Sequence, residues 1–202
     1  MPQPDSTFEL SRSLSDEEYL ALEKKTGQQY ELFEGEIFPL PPATYNHRII
    51  SANINRLIGK SVRGRFNVGT GDLRLKVEAT GLLTYSDLFV TRGDLTMVEP
   101  GTTLINPIVL GEVISPSTEL YDRTVKFEHY RQISTLSSYL LFSQSAPLVE
   151  QYSRETDNIW LYWSAAGPHA TIDIPILKAT LSLAEIYAGV EFGESFLRPF
   201  RH

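Results

Sequence analysis

The sequence contains no cysteine among its 202 residues. This absence excludes disulfide bonds, thiolate zinc sites and a cysteine nucleophile. The chain also lacks any run of about 18 apolar residues, so no membrane span is predicted. Its first residues, MPQPD, lack the basic start and apolar centre of a signal peptide. We therefore expect a cytoplasmic protein that does not contact a membrane.

Several common catalytic motifs are absent as well. The sequence has no Gly-Lys-Ser or Gly-Lys-Thr of a Walker loop and no Gly-x-Ser-x-Gly nucleophile elbow. Its histidines form no His-x-x-x-His pair of the kind that binds zinc. The segment that begins at Gly69 lacks the third glycine of a dinucleotide-binding loop, because Arg74 stands there. We expect no small-molecule cofactor.

Positive charge is scarce overall but concentrated in one segment. The formal net charge is −7, which argues against a protein that coats nucleic acid nonspecifically. From residue 56 to 76, however, six basic residues face one acid, a local balance of 6 − 1 = +5. This segment is either a solvated basic face or a surface that contacts phosphates. Its basic residues are Arg56, Lys60, Arg63, Arg65, Arg74 and Lys76.

The hydrophobic pattern predicts a single α/β (α+β) domain over residues 15–192, between tails at 1–14 and 193–202. Ser15 and Glu18 form a capping box, and residues 30–38 resemble a hairpin with a glycine turn. Helices are expected over 47–62, capped by Asn46, and over 123–133, capped by Asp122. Strands are expected over 72–77, 82–90, 107–114 and 138–143. The whole order indicates a mixed β-sheet flanked by helices.

The C-terminal half favours self-association. Residues 149–163 suit a hairpin that ends in Trp160-Leu161-Tyr162-Trp163, and a short helix is expected over 183–188. Strand alternation sends Trp160 and Tyr162 to one face, and Leu161 and Trp163 to the other. One face can enter the core while the other remains apolar and exposed, as in many interfaces. We expect a homodimer.

Two acids in apolar strands are the sharpest chemical signal. Asp87 lies in the run Leu82–Val90, and Glu112 lies in the run Pro107–Ile114. Burying either carboxylate is costly unless it is paired, and two neighbouring carboxylates repel each other unless a cation lies between them. Mg²⁺ or Mn²⁺ would suit such oxygen ligands. Two non-catalytic explanations are also open. Asp87 could be an exposed acid at the end of a strand, and Glu112 could be a buried acid that pairs with an arginine for structure alone.

Other polar residues could support this pair. Lys126 follows Asp122 by four residues on a predicted helix, so the two share one helix face. A solvent-exposed ion pair would show the same spacing. Glu36 belongs to an acidic hairpin, where an exposed acid is also common. His47 opens a helix and could touch a phosphate, although a histidine near a helix cap needs no such role.

Four segments together resemble a known family. They are YELFEGE at 30–36, SD at 86–87, EVISPST at 112–118, and the spaced Asp-Arg-x-x-Lys-x-x-x-Tyr at 122–130. In these residues the chain resembles the bacterial restriction-endonuclease-like family of the PD-(D/E)XK nuclease superfamily. The resemblance extends over roughly residues 15 to 190 and implies a restriction-endonuclease-like fold.

The resemblance also implies roles for single residues. Asp87 matches the first metal-binding aspartate and Glu112 the second acid, so both would be metal ligands as well as catalytic residues. The superfamily lysine normally stands two residues after the second acid, but Ile114 occupies that position. The family places this lysine on the following helix, which makes Lys126 the third catalytic residue. Glu36 matches an early hairpin acid with a supporting role.

We therefore expect a DNA endonuclease that uses Mg²⁺ or Mn²⁺ to activate water. Asp122 would support the site, and no side-chain nucleophile is apparent. DNA contacts would come from His47, Arg56, Lys60, Arg63 and Arg65. Two alternatives remain open: an inactive nuclease-fold protein that binds or assembles, and a hydrolase of another phosphoester.

Overall fold

The computed structural model describes residues 13–98 and 102–193. The expected N-terminal tail lies almost wholly outside this range, as does nearly all of the expected C-terminal tail. The helices are α1 (Asp16–Thr26), α2 (Tyr45–Ser61), α3 (Glu119–Tyr121), α4 (Phe127–Tyr130) and α5 (Leu183–Ile186). The strands are β1 (Tyr30–Phe33), β2 (Glu36–Pro39), β3 (Asn67–Thr70), β4 (Arg74–Val77), β5 (Leu82–Tyr85), β6 (Leu88–Thr91), β7 (Met97–Val98), β8 (Thr103–Leu104), β9 (Val109–Ile114), β10 (Ser138–Ser143), β11 (Leu148–Thr156), β12 (Ile159–Ala166), β13 (Thr171–Ile174) and β14 (Ala179–Ser182).

These strands form two large mixed sheets and one hairpin. The first sheet has the order β2-β1-β5-β4-β8-β7, and the second has the order β12-β11-β10-β9-β6-β3. Most neighbours are antiparallel, but β9 and β10 run parallel, as do β4 and β8. This arrangement confirms the expected mixed α/β (α+β) class in a single domain. The strands divide between two sheets, where one sheet was expected.

The centre of the second sheet is buried on both faces because a hydrophobic cluster covers each of them. In β9, Val109 and Val113 pack into the cluster beside α2, whereas Leu110 and Ile114 pack into the cluster beside α4. By strand alternation, Glu112 shares the face of Leu110 and Ile114. The fold therefore places an acid inside a core that is otherwise apolar and aromatic.

A polar network joins α1 to the first sheet. The Glu23 carboxylate accepts hydrogen bonds from the hydroxyls of Tyr19 and Tyr85, the backbone N–H of Tyr30 and the guanidinium of Arg74. All of these donors contact one buried carboxylate, so its desolvation is well compensated. The network holds the end of β5 in place immediately before Asp87.

The first helix follows the sequence prediction closely, but the second begins elsewhere. Ser15 and Glu18 form the expected capping box, and α1 ends at Gly27, whose φ of 68° is left-handed. Helix α2 is capped by Thr44, whose hydroxyl accepts the N–H of His47, so the expected cap at Asn46 is wrong. The Asn46 amide instead donates to the Glu191 carbonyl at 2.8 Å.

Two further expectations fail next to the site. The predicted strand 82–90 is interrupted, because β5 belongs to the first sheet and β6 to the second. The helix expected from residue 123 begins at residue 119, so Asp122 lies inside it and does not cap it. Between α3 and α4 the helix widens into a π-turn, Asp122–Lys126. Such single turns occur frequently at functional sites.

Helix α2 has 17 residues, and its exposed face is polar. No helix in the described part of the chain is long and apolar enough to cross a membrane.

Candidate active site

Asp87 lies where the chain passes from the first sheet to the second. Its Oδ2 accepts the backbone N–H of Val113 at 2.7 Å, which ties this crossover to the centre of β9. The Nε2 atom of His47, from the first turn of α2, lies 3.0 Å from Oδ1. The Asp87 side chain is 21% exposed, so it is accessible from one side only. Because the strand breaks here, the carboxylate does not have to lie within a continuous apolar strand.

Glu112 contacts the same region from β9. The Tyr130 hydroxyl donates to its Oε1 at 2.8 Å, and the Lys126 ammonium lies 3.1 Å from the same oxygen. Within the described residues, both of its polar contacts end on Oε1. The second oxygen is therefore available to another partner, although the residue is only 5% exposed.

Lys126 occupies the centre of a buried ion cluster. Its Nζ lies 3.1 Å from Glu31 Oε1, 3.1 Å from Glu112 Oε1 and 3.9 Å from Asp122 Oδ1. It also donates to the Tyr85 carbonyl at 3.3 Å. Lys126 is 4% exposed, so the solvent-exposed ion pair that the spacing also allowed is not what forms. Asp122 and Lys126 lie four residues apart in the π-turn and share one buried side of the helix.

Glu31 is the site residue that the sequence reasoning missed. It is buried in β1, where the hydroxyls of Thr84 and Tyr121 donate to its two oxygens and Lys126 neutralises its charge. A signal was present, because alternation in β1 places Glu31 on the same face as Phe33, which packs into the core. An acid on the core face of a strand needs a partner.

Glu36, the hairpin acid that was expected to support the site, does not reach it. It lies at the turn end of β2, at the edge of the first sheet, and its side chain is exposed. The hairpin does supply an acid to the cluster, but that acid is Glu31.

Negative charge exceeds positive charge in this cluster. Burial and the repulsion from Asp87 and Asp122 raise the pKa of Glu112 well above its usual value, although Lys126 acts in the opposite direction. Burial also raises the pKa of Asp122 against the opposing effect of Lys126. For Lys126 itself, burial disfavours the charge, but the surrounding carboxylates outweigh burial and raise its pKa. The Lys126 ammonium is thus the shared ion-pair partner of Glu31, Glu112 and Asp122.

A cavity of about 680 Å³ opens above the cluster and is lined by Asp87, Glu112, Asp122 and Lys126. His47 and Arg48 also line it, and Arg48 was not among the predicted contacts. Gly71 lies at the rim, where a Cβ would approach the Ser86 carbonyl to 3.3 Å.

Most of the predicted basic segment does not line this cavity. Arg56, Lys60, Arg63 and Arg65 are exposed along and after α2. Because a helix rises about 1.5 Å per residue, Lys60 lies about 20 Å along the axis from His47. The two remaining members of the segment, Arg74 and Lys76, form ion pairs with acids of α1. Any DNA contact from these four exposed residues would be to phosphates farther along the DNA strand.

The donor set fits a hard divalent cation that keeps much of its water. Within residues 13–98 and 102–193, no three His, Asp or Glu side chains form a ready metal cage. Mg²⁺ commonly binds through one or two carboxylates plus water and substrate phosphates, and therefore needs no such cage. Asp87 and Glu112 would provide such a pair, and both line the same cavity.

Comparison with known proteins identifies the family of this chain. The sequence model of the Uma2 family, described as "Putative restriction endonuclease", matches residues 16–184. Two uncharacterized proteins of Synechocystis sp. (strain ATCC 27184 / PCC 6803 / Kazusa) are each 29% identical to the chain. The first, sll1609, aligns over 83% of this chain and 96% of its own length. The second, slr1290, aligns over 89% of this chain and 94% of its own length.

A solved structure shares the fold. It is the crystal structure of a putative nuclease belonging to DUF820 from Anabaena variabilis ATCC 29413, with a TM-score of 0.69 and 20% sequence identity. The match covers 85% of this chain and 96% of that chain. It confirms the nuclease-like architecture.

Exchanging the buried hairpin acid should cost far more stability than exchanging the exposed one. Glu31→Gln removes a charge that faces Lys126 in the core, so we expect the free energy of unfolding to fall by about 3 kcal/mol at pH 7. Glu36→Gln is the matched control on the same hairpin and should change it by less than about 0.5 kcal/mol. Urea denaturation of both variants measures the difference.

The free energy of unfolding that Glu31→Gln loses should also depend on pH. Burial works against the Glu31 charge, but Lys126 and the hydroxyls of Thr84 and Tyr121 outweigh it and lower the pKa of Glu31. Its ionised form therefore stabilises the fold above the unfolded-state pKa, and this stability disappears as the pH falls through the lowered value. The difference in the free energy of unfolding between wild type and Glu31→Gln should decrease as the pH falls from neutral into the acid range. A difference that stays constant would contradict an ionised Glu31.

Proposed function

This chain belongs to the Uma2 family of putative restriction endonucleases, and on that premise we propose that it is a metal-dependent DNA endonuclease. The observation that carries the proposal is the excess of carboxylates over cations at the base of an open cavity. Among the described residues, the cavity is lined by four carboxylates and by two permanent cations, Lys126 and Arg48, with His47 beside Asp87. The carboxylates belong to Asp72, Asp87, Glu112 and Asp122. Buried negative charge of this kind is stabilised by a cation that arrives from solution.

Asp87 and Glu112 would hold Mg²⁺ or Mn²⁺ as the two protein ligands. When bound, the cation supplies charge neutralisation at the scissile phosphate and a water of lowered pKa. The chain holds both ligands in place, since Asp87 is bonded to the Val113 N–H and Glu112 to the Tyr130 hydroxyl. His47 lies against Asp87 and restricts its rotation.

Lys126 would balance the negative charge that develops on phosphorus. Its ammonium lines the cavity between Glu31 and Glu112, and the Tyr85 carbonyl fixes its position. A donor fixed before the reaction stabilises developing charge without reorganising. Asp122 supports this arrangement from the same helical turn. No serine or histidine needs to attack the phosphorus, because water is the nucleophile.

One feature favours an inactive nuclease-fold protein as the second candidate. The Lys126 ammonium already contacts two carboxylates at 3.1 Å, so the chain itself supplies a cation to the cluster. A protein that kept the fold for binding or assembly would need no more than this. The two candidates differ in whether the residues turn over a phosphodiester.

Supercoiled plasmid nicking tests the proposal directly. We expect nicking with Mg²⁺ or Mn²⁺, and none with EDTA. Asp87→Asn should lower the rate by about 100-fold or more, because it removes one of the two proposed metal ligands. Asp157→Asn, an exposed acid in the β11–β12 turn, is the matched control and should nick at the wild-type rate.

Nicking that persists in EDTA would contradict metal dependence. Absence of nicking under all metals, with Asp87→Asn and wild type binding DNA equally well, would favour the inactive protein. Equal rates for wild type and Asp87→Asn would remove Asp87 from the site.

We also propose that the protein forms a homodimer through the edge strand β12. Ile159, Leu161 and Trp163 share one strand face, with exposed fractions of 53%, 39% and 38%. On the opposite face, the ring centroids of Trp160 and Phe127 are 5.3 Å apart, whereas Tyr162 is 53% exposed. An exposed apolar strand at a sheet edge is a typical site of association.

The cytoplasmic location expected from the sequence stays a prediction.

Sedimentation equilibrium tests this interface. Wild type should be dimeric at tens of micromolar, and Trp163→Glu should be monomeric because a charge would be buried at the contact. Tyr45→Glu, at a residue 69% exposed on α2, is the control and should remain dimeric. A monomeric wild type would refute the dimer, whereas a dimeric Trp163→Glu would place the interface elsewhere.

A further inference from the structure

A second cavity adjoins the first and differs from it in chemistry. Its volume is about 370 Å³, within the range of small-ligand pockets. Its walls are largely apolar and aromatic, with Phe33, Phe38, Leu40 and Val125 among the lining residues. The proposed hydrolysis of a phosphodiester makes no use of such a surface.

The two cavities meet at the ion cluster. Asp122 and Lys126 line both of them, so a ligand in the second cavity lies next to the proposed phosphate position. The hairpin register confirms this closeness, because Phe38 pairs directly with Glu31, which contacts Lys126. Side chains paired in this way have Cβ atoms about 5 Å apart.

Exposed aromatic and apolar side chains line the second cavity. Phe38 on β2 and Val125 on the π-turn are each 49% exposed. Phe33 forms part of the wall and is held by an edge-on contact with His129, whose ring centroid is 4.6 Å away. An exposed aromatic side chain beside a cavity offers a stacking surface, and its burial by a ligand would be favourable.

Charge decides which part of a nucleotide can enter. Glu31 and Asp122 are acidic residues that line the cavity. The effect of Lys126 outweighs burial and lowers the pKa of Glu31, whereas burial raises the pKa of Asp122. Lys126 and His129 also line the cavity, but Lys126 is paired with Glu31 and Glu112, and burial lowers the pKa of His129. The cavity therefore offers little unpaired positive charge to a phosphate, whereas a neutral base needs none. The carboxylate and hydroxyl oxygens can accept hydrogen bonds from the amino groups of a base.

We propose that this second cavity binds one unstacked nucleobase of the DNA next to the scissile phosphate. This inference rests on the proposed nuclease function and narrows its substrate class. A base within an intact duplex is stacked and paired and cannot reach such a cavity. The preferred substrate is therefore DNA with an unpaired nucleotide, such as a bulge, a flap or a single strand.

Fluorescence of 2-aminopurine tests the subsite. Two duplexes carry the same labelled strand, with the 2-aminopurine either paired with thymine or unpaired in a one-nucleotide bulge. Binding is measured with Ca²⁺ in place of Mg²⁺ so that the DNA stays intact. Wild type should bind the bulged duplex about tenfold more tightly and quench its fluorescence, because base–aromatic stacking is of that magnitude.

Three variants separate stacking from other effects. Phe38→Ala should bring the affinity ratio of bulged to paired DNA close to one, and Phe38→Trp should restore it. Met97→Ala is the control, because Met97 is 38% exposed on β7 at the opposite edge of the same sheet. It should keep the wild-type ratio.

The outcomes distinguish the two proposals. A wild type that nicks plasmid but binds both duplexes equally well would overturn the base subsite and leave the nuclease proposal intact. A bulge preference that Phe38→Ala retains would also overturn the subsite. A wild type that neither binds nor cuts any of these DNAs would overturn both proposals.

Discussion

The balance of charge around Lys126 is the interaction on which the site depends. The ammonium is buried, and burial of a lone ammonium is prohibitively costly. Glu31 and Glu112 each approach it to 3.1 Å, from strands of two different sheets. The cluster therefore joins the two sheets to the helical segment 119–130 at one point. Loss of any member leaves charges without partners, which is why such clusters fix an arrangement even where they add little net stability.

Two local irregularities of the fold involve residues of this site: the break between β5 and β6, and the π-turn. The chain leaves the first sheet at Ser86 and enters the second at Leu88, so Asp87 is free of both ladders and faces the cavity. The π-turn Asp122–Lys126 places two charged residues on the buried side of a short helix. A continuous strand would instead hold Asp87 within one ladder. The apolar cluster around Tyr130 and Tyr139 then excludes water from one side of the site.

Sequence reasoning succeeded where a local pattern determines the structure. The capping box of α1 and the apolar strand around Glu112 depend on neighbouring residues, and both were predicted. It failed where the outcome depends on tertiary contacts. The break at Asp87 follows from the sheet that each half joins, and the burial of Lys126 follows from partners far away in sequence. Glu31 was overlooked because its partners, Thr84 and Lys126, lie 53 and 95 residues away.

Binding of Mn²⁺ measured by calorimetry tests most directly whether the cluster is a metal site. Asp87 and Glu112 should bind the ion without DNA, so wild type should show a saturable binding heat that EDTA abolishes. Asp87→Asn should weaken the affinity by about tenfold or more, while the exposed-acid variant Asp157→Asn should leave it unchanged. Equal Mn²⁺ affinity in wild type and Asp87→Asn, or no binding in either, would contradict the account.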